Sequence, residues 1–326
     1  MVFPSISIAI PTLNEHDHIE HCLNSIFHQK YQGKLEVFIV DGGSTDDTVK
    51  IAKRFPVTIL RNPLREAEYG KKIALMKSTG KYFMILDCDM GLVGDHWFEK
   101  MVSPLEKDTE IVGSWTRFVS LPGDAPLNRY ITFDPIQRDP LFCFLTPSTS
   151  SCITKKYKEY WITEYRKGKI LPASFCLYRR KELLTTAVAE MKKYMELDTM
   201  VIMVENGRTS YAYVPDIGIH HPFLTTLSNL VRKRKRNLET MYFNQPNKRY
   251  WTWIDWSKRS EFIKLFLWLM YCYTIMPSII VGFYKSLRYR DPAGLYELPF
   301  NIMTTNVIIG SFITNKEGRV LLSKTI

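Results

Sequence analysis

The sequence predicts an α/β fold, a Rossmann-like, mostly parallel sheet flanked by helices, followed by interfacial and transmembrane helices. Three observations carry this. Short apolar runs alternate with helix-spaced stretches through about the first ninety residues, the pattern of a parallel sheet with helices on both faces. Polar and carboxylate side chains recur where those apolar runs end, which is where ligands bind in such sheets. The last quarter of the chain is long and apolar, with aromatic and basic residues at its rim.

The elements follow in order. Ser5–Ile10 reads as a strand, and Asn14–Phe27 as a helix with Ile19, Leu23, Ile26 and Phe27 on one face. Leu35–Val40 is a second strand ended by Asp41-Gly42-Gly43. Asp46–Phe55 is a second helix, with Ser44 or Thr45 as its cap. Val57–Leu60, Tyr69–Thr79 and Tyr82–Leu86 read as strand, helix and strand, the last ending at Asp87. The pattern then loosens from about Gly91 to Pro147. Tyr157–Glu164 and Arg180–Tyr194 look helical, and Ser210–Val214 looks like a short strand. Three regions result: 1–125 and 126–245, the two parts of the α/β domain, and 246–326, with an interfacial helix and two apolar segments.

Phe262 to Tyr284 is almost wholly apolar, interrupted by Lys264 and Pro277. Roughly 20 apolar residues cross a bilayer core, and proline is tolerated in such a helix. The alternative is a buried helix of a soluble protein. Tyr250, Trp251, Trp253 and Trp256, mixed with Lys248, Arg249, Lys258 and Arg259, suit the headgroup layer before it. Leu295 to Ile313 is a weaker second span, diluted by Glu297, Asn301 and Asn306. Arg232-Lys233-Arg234-Lys235-Arg236 places the preceding domain on the cytoplasmic side, although Lys285, Arg288 and Arg290 pull weakly the other way.

Of the 326 residues, 45% are hydrophobic and 24% charged, enough for a sizeable core and against extensive disorder. The net charge of +11 suits nucleic acid, anionic lipid or phosphorylated substrates alike. A membrane segment soon after the Arg/Lys run argues against nucleic acid as the partner. The six cysteines lack Cys-x-x-Cys spacing and read as reduced residues of an intracellular domain. Met1 to Ile10 lacks the pattern of a signal peptide.

Asp87-Cys88-Asp89 is the first chemical candidate. Two carboxylates at i and i+2 beyond a strand can hold one divalent cation, Mn²⁺ or Mg²⁺, against a diphosphate. The bland alternative is a solvated turn. Pro11-Thr12-Leu13, Glu15 and Asp41 fall at the other strand ends. Asp41 can accept hydrogen bonds from a base or ribose, and the glycines after it let a nucleotide approach the backbone; a turn residue is its alternative. Lys71 can reach a nucleotide or simply face solvent.

Ile8-Ala9-Ile10-Pro11-Thr12-Leu13-Asn14-Glu15, Val40-Asp41-Gly42-Gly43-Ser44-Thr45-Asp46-Asp47-Thr48 and Gly80-Lys81-Tyr82-Phe83-Met84-Ile85-Leu86-Asp87-Cys88-Asp89 resemble the family 2 glycosyltransferases of GT-A fold. The likeness covers roughly the first ninety residues and weakens after them. That family includes dolichyl-phosphate mannose synthases and cellulose-synthase-like enzymes. With a basic stretch and apolar segments behind the catalytic part, the chain is also similar to archaeal membrane mannosyltransferases that build lipid-linked glycans.

The resemblance implies a nucleotide-diphosphate sugar donor, with GDP-mannose first and UDP-glucose next, and a lipid-linked acceptor. It implies a carboxylate base at a helix start well after the metal motif. Glu196-Leu197-Asp198-Thr199 is the nearest match. Asp198 aligns best, but Leu197 stands at the usual Glu position, which makes Glu196 a rival. It implies a histidine completing the metal shell after Val214-Pro215-Asp216, where His221 fits the spacing slightly better than His220. Where polymerising relatives carry Gln-x-x-Arg-Trp, this chain has Lys233, Arg236 and Asn237. Lys233 and Arg236 can still neutralise diphosphate, but the lost Trp speaks against long-chain polymerisation. A sugar-phosphate nucleotidyltransferase would carry a glycine-rich loop after the first strand, where this chain has Pro11 to Glu15. A non-enzymatic nucleotide-sugar binder would not need Asp87 and Asp89.

Overall fold

The computed structural model describes residues 3–168, 170, 176–243, 249–252, 254 and 258–323. The chain forms two compact units, one of residues 1–119 and 147–221, the other of residues 120–146 and 222–326.

Among the described residues, the first unit is built on a ten-stranded sheet. Its strands are β1 (Ile6–Thr12), β2 (Leu35–Asp41), β3 (Thr58–Arg61), β4 (Tyr82–Ile85), β5 (Gly91–Val93), β6 (Gly113–Val119), β7 (Ile153–Lys156), β8 (Trp161–Glu164), β9 (Leu177–Arg179) and β10 (Ser210–His220). They lie in the order β3-β2-β1-β4-β9-β6-β10-β8-β7, with β5 on β10. Every residue of β1 is buried, as a central parallel strand covered on both faces requires. The Ile19–Phe27 helix covers one face with Ile19, Cys22, Leu23 and Ile26, and the Trp97–Lys107 helix adds Trp97, Phe98, Met101 and Leu105 to the same core.

The expected mostly parallel sheet is corrected to a mixed one. The β3-β2-β1-β4 half is parallel throughout. Beyond it β9 runs antiparallel to both β4 and β6, and β10 pairs parallel with β6 but antiparallel with β5 and β8. Tyr157–Glu164 is not a helix: Trp161–Glu164 is strand β8, paired with β7 and β10. Ile162 and Thr163 bury their side chains there, and Trp161 packs its ring against Tyr213, so sheet pairing overrides local helix preference. Arg180–Tyr194 is helical only over Arg180–Leu184, followed by a single turn at Ala187–Ala189. The Lys72 ammonium takes the Val188 and Ala189 carbonyls at 3.0 and 2.6 Å, so these carbonyls serve tertiary structure instead of a longer helix. The strand expected at Ser210–Val214 runs on to His220 after an irregularity between Val214 and Gly218.

One carboxylate pins the parallel half. Glu36 of β2 accepts from Ser7 Oγ on β1 at 2.5 Å, and from Thr79 N and Oγ1 at 2.8 and 3.0 Å. Burial pushes its pKa up, but the hydrogen bonds from Ser7 and Thr79 outweigh that and hold it below the ordinary value. A depressed carboxylate contributes stability that is present above its unfolded pKa and lost as pH falls through the folded one. Glu36→Gln is therefore expected to cost about 1–2 kcal/mol at neutral pH and progressively less in acid, read from melting curves across that range. An equal loss at every pH contradicts this account.

The second unit is helical. Its apolar clusters are Leu127, Tyr130, Ile131, Leu224, Leu230 and Phe300, and separately Leu141, Trp268 and Cys272. The single span expected at Phe262–Tyr284 is broken. One helix runs Arg259–Tyr273, the next Met276–Tyr289, and the pair bends by 80°. Pro277 lies in the first turn of the second helix, where it has no amide to give the preceding turn, and Ile275 before it turns to φ +66°. The second expected span is a turn at Pro292–Tyr296 followed by the Glu297–Thr314 helix. Among the described residues no single helix is long and apolar enough to cross a membrane. Lys248, Trp253 and Trp256 of the expected interfacial stretch lie outside the described residues.

Candidate active site

The site is assembled where β1, β2 and β4 end. The sequence expectation of a helix from Asn14 gives way to a loop, and the helix starts at Ile19. Asn14 takes φ +56°, its amide donates to Ser44 Oγ at 2.9 Å, and its Oδ1 accepts from Thr45 N at 2.8 Å. Glu15 N donates to Thr48 Oγ1 at 2.7 Å. These bonds clasp the loop after β1 to the loop after β2. The second helix likewise begins late, at Thr48, and neither Ser44 nor Thr45 caps it; Asp46 Oδ1 accepts from Thr48 N at 3.0 Å instead. Hydrogen bonds from Thr48 and His16, working against desolvation, hold the Asp46 carboxyl well below its ordinary range.

Asp41 turns its carboxylate into its own loop, accepting from Gly43 N at 2.8 Å and from Ser44 N and Oγ at 3.0 and 2.5 Å. That turn needs Gly43 at φ +88°, and a Cβ there would meet only open space. Pro11 is buried and Leu13 half-buried, both against the backbone near Gly42 and Gly70.

Asp87 and Asp89 follow β4 in a turn closed by Met90 N on Asp87 O at 3.0 Å. The Asp89 carboxylate lies 3.6 Å from His221 Nε2. His220 ends β10 in register with Gly91 and Val119, and His221 beyond it lays its ring on Phe118. Of the two candidate histidines, the structure thus brings His221 to Asp89. Burial, then the carboxylates of Asp89 and Asp87, raise the Glu15 pKa, so negative charge is concentrated here. Among the described residues no three His, Cys, Asp or Glu side chains already converge as a cage. The donor set still fits Mg²⁺ or Mn²⁺: such ions take one or two protein carboxylates and complete their shell from substrate phosphate oxygens and water.

Lys71 does not face solvent. It is buried, with Nζ 2.5 Å from Glu196 Oε1 and 3.2 Å from Asp87 Oδ1. Burial lowers its pKa, but Asp87 and Glu196 more than reverse that, and the ammonium is held well above its ordinary value. This bridge joins the Asp87 turn to the start of the Glu196–Glu205 helix. Asp198, two residues on, is only 3% exposed, whereas the Glu196 side chain is 24% exposed. The sequence contained one pointer to the bridge. Gly70, Lys71, Ala74 and Leu75 share the buried face of the Ala67–Lys77 helix, so helical spacing alone turns Lys71 inward.

Lys233 and Arg236 belong to the second unit, on the Leu227–Leu238 helix. Lys233 Nζ donates to Phe223 O at 2.7 Å and lies 4.3 Å from that ring's centroid, and Arg236 is exposed.

The sequence pattern described as Glycosyl transferase family 2 matches residues 7–185, more than half of the chain. The chain belongs to this family. Among similar glycosyltransferases is AglE of Haloferax volcanii, 31% identical over 142 residues, covering 41% of this chain and 46% of that protein. A Methanococcus voltae protein named dolichyl N-acetyl-α-D-glucosaminyl phosphate 3-β-D-2,3-diacetamido-2,3-dideoxy-β-D-glucuronosyltransferase is 34% identical over 88 residues, 24% of this chain and 27% of that one. The chain thus spans less than half the length of these curated relatives. Solved structures similar to this chain include the mannosyltransferase PcManGT of Pyrobaculum calidifontis in complex with GDP-Man and Mn²⁺, with a TM-score of 0.49 and 15% identity over 99% of this chain and 80% of that one. Another is S. aureus TarS, with a TM-score of 0.48 and 14% identity, covering 94% of this chain and 50% of the other.

Proposed function

We propose that this glycosyltransferase-family chain transfers a hexose from a nucleotide-diphosphate sugar to a lipid-linked acceptor, with inversion, at the cytoplasmic face of a membrane. The observation that supports it best is the joining of three groups at the carboxyl ends of the strands: the Asp87–Asp89 turn, His221 beyond β10, and Glu196 through Lys71. The lipid-linked acceptor takes support from the name of the Methanococcus voltae relative. GDP-mannose is the first donor to test and UDP-glucose the second.

In this reading Pro11, Leu13, Glu15 and Asp41 frame the nucleotide. Asp87, Asp89 and His221 would hold the divalent cation, which when bound offsets the charge on the departing diphosphate. The acceptor oxygen attacks the anomeric carbon from the side opposite the diphosphate. The new C–O bond forms as the bond to the β-phosphate oxygen breaks, and the acceptor proton passes to a carboxylate. The sequence register gave that task to Asp198. Its near-complete burial argues for Glu196, which is more exposed and is tied to the metal turn through Lys71; Asp198 then braces the helix start.

The reading is tested by melting the purified chain with Mn²⁺ and each donor in turn. A ligand at about 100 times its Kd stabilises by about 2.7 kcal/mol, a readily visible shift. A nucleotide-diphosphate sugar should give such a shift, with GDP-mannose ahead of UDP-glucose. If none does, the reading fails; if UDP-glucose leads, the donor assignment changes.

A further inference from the structure

Two helices of the second unit bury mostly polar or small side chains, beside the apolar Phe300. The Glu297–Thr314 helix buries Glu297, Asn301, Thr304, Thr305 and Ser311, and the Met276–Tyr289 helix buries Ser278 and Gly282. Polar bonds hold this interior together. Trp268 Nε1 donates to Thr305 Oγ1 at 3.0 Å, Tyr271 OH to Glu297 Oε1 at 2.6 Å, and the Lys285 ammonium pairs with Glu297. The outside is apolar. Phe262, Phe266, Leu269, Met270 and Tyr273 form an exposed stripe on the Arg259–Tyr273 helix. Met276, Ile280, Phe283, Tyr284 and Leu287 form one at the same spacing on the next helix. Water does not favour such an arrangement, and a patch of this extent marks an interaction surface. Small residues and polar bonds inside, with aliphatic and aromatic residues outside, are how helices pack within lipid.

We propose that the bent pair Arg259–Tyr273 and Met276–Tyr289 is a wedge that enters one leaflet of an anionic membrane without crossing it. Geometry sets the depth. The helices have 15 and 14 residues, about 22 and 21 Å at 1.5 Å per residue. A symmetric V bent by 80° tilts each arm about 50° from its axis, so the tip reaches about 14 Å. That is close to half of a hydrocarbon core of about 30 Å. The tip, Tyr273 to Pro277, is exposed and carries no charge. Charge sits toward the two outer ends: Lys258 and Arg259, both exposed, and the Lys264–Glu261 pair at one, and Lys285 paired with Glu297 inside, with exposed Arg288 and Arg290, at the other. Cations at both ends and none at the tip fit anionic headgroups on one surface. The inference rests on the second unit alone and stands or falls separately from the donor chemistry.

The test uses the full chain with sealed vesicles, either pure phosphatidylcholine or equal parts phosphatidylcholine and phosphatidylglycerol. The protein should float with the vesicles, more with the anionic ones, and stay bound in high salt. Met276→Asp with Ile280→Asp should lower the bound fraction at least about tenfold, since an aspartate in the acyl region strongly opposes insertion. Its melting temperature and donor-induced shift should remain, because both side chains are exposed. For topology, Ser260→Cys and Arg288→Cys should both react with an impermeant maleimide added outside. Reaction of only one of them before lysis would show a crossing and overturn the wedge. Failure to float with either vesicle also overturns it, and concentration-dependent dimerisation would then assign the apolar face to a second copy of the chain.

Discussion

Asp89→Ala is expected to lower glycosyl transfer roughly 10³-fold, the worth of several kcal/mol of charge stabilisation at the leaving group. The fold should survive. Asp89 stands on a turn beyond β4, its side chain is 33% exposed, and His221 Nε2 lies 3.6 Å from its carboxylate. Neighbouring Cys88 is the buried member of the apolar core in this turn. Two controls separate chemistry from stability. Chelation by EDTA should depress the native enzyme to a similar level, with recovery on adding Mn²⁺. Asp89→Ala should melt near the native temperature and respond little to Mn²⁺. His221→Ala should fall the same way by a smaller factor, since an imidazole adds one ligand to a shell led by carboxylates. Full activity in EDTA, or an Asp89→Ala enzyme that retains turnover, removes the metal-assisted reading.

Much of the donor half is legible in the sequence because the rules that shape it are local. A buried parallel strand is mostly apolar, so the runs within Ile6–Thr12 and Leu35–Asp41 read as strands despite Ser7 and Glu36. The end of β2 then fixes where Asp41 stands, and the end of β4 where Asp87 and Asp89 stand. The later elements obey distant partners. Trp161–Glu164 is a strand because β10 accepts it, and the 187–189 turn is a single turn in part because Lys72 takes its carbonyls from another helix. The apolar run after residue 262 has the composition of a span, and composition does not report the bend. Pro277 was visible in it, but the sharp break needs Ile275 in the left-handed region as well, which no periodicity foretells. The site shows the same division. Asp89 and His221 are readable from motif and spacing, whereas the Lys71 bridge spans 125 positions and depends on two separate helices meeting.

That bridge decides the second large effect. If Glu196 takes the acceptor proton, Glu196→Gln should cut turnover with a hydroxyl acceptor by roughly 10²–10⁴, the usual worth of a positioned base. Donor binding should persist, because the amide keeps a hydrogen-bond acceptor for Lys71, and Asp87 and Asp89 are untouched. The loss should appear in kcat and leave the KM for donor nearly constant. With a lipid phosphate as acceptor the loss should be much smaller, since that oxygen is ionised already. Asp198→Asn should behave in the opposite sense. If Asp198, which is buried, only braces the helix start, its replacement should cost about 1–3 kcal/mol of stability and less than about tenfold in turnover. Lys71→Met provides the third arm. It takes the cation from between Asp87 and Glu196, leaving two carboxylates facing a buried apolar chain, and should lower both donor affinity and kcat. Should Asp198→Asn abolish turnover at native stability while Glu196→Gln barely alters it, the base is Asp198 and the Lys71 bridge is a strut for the donor turn alone.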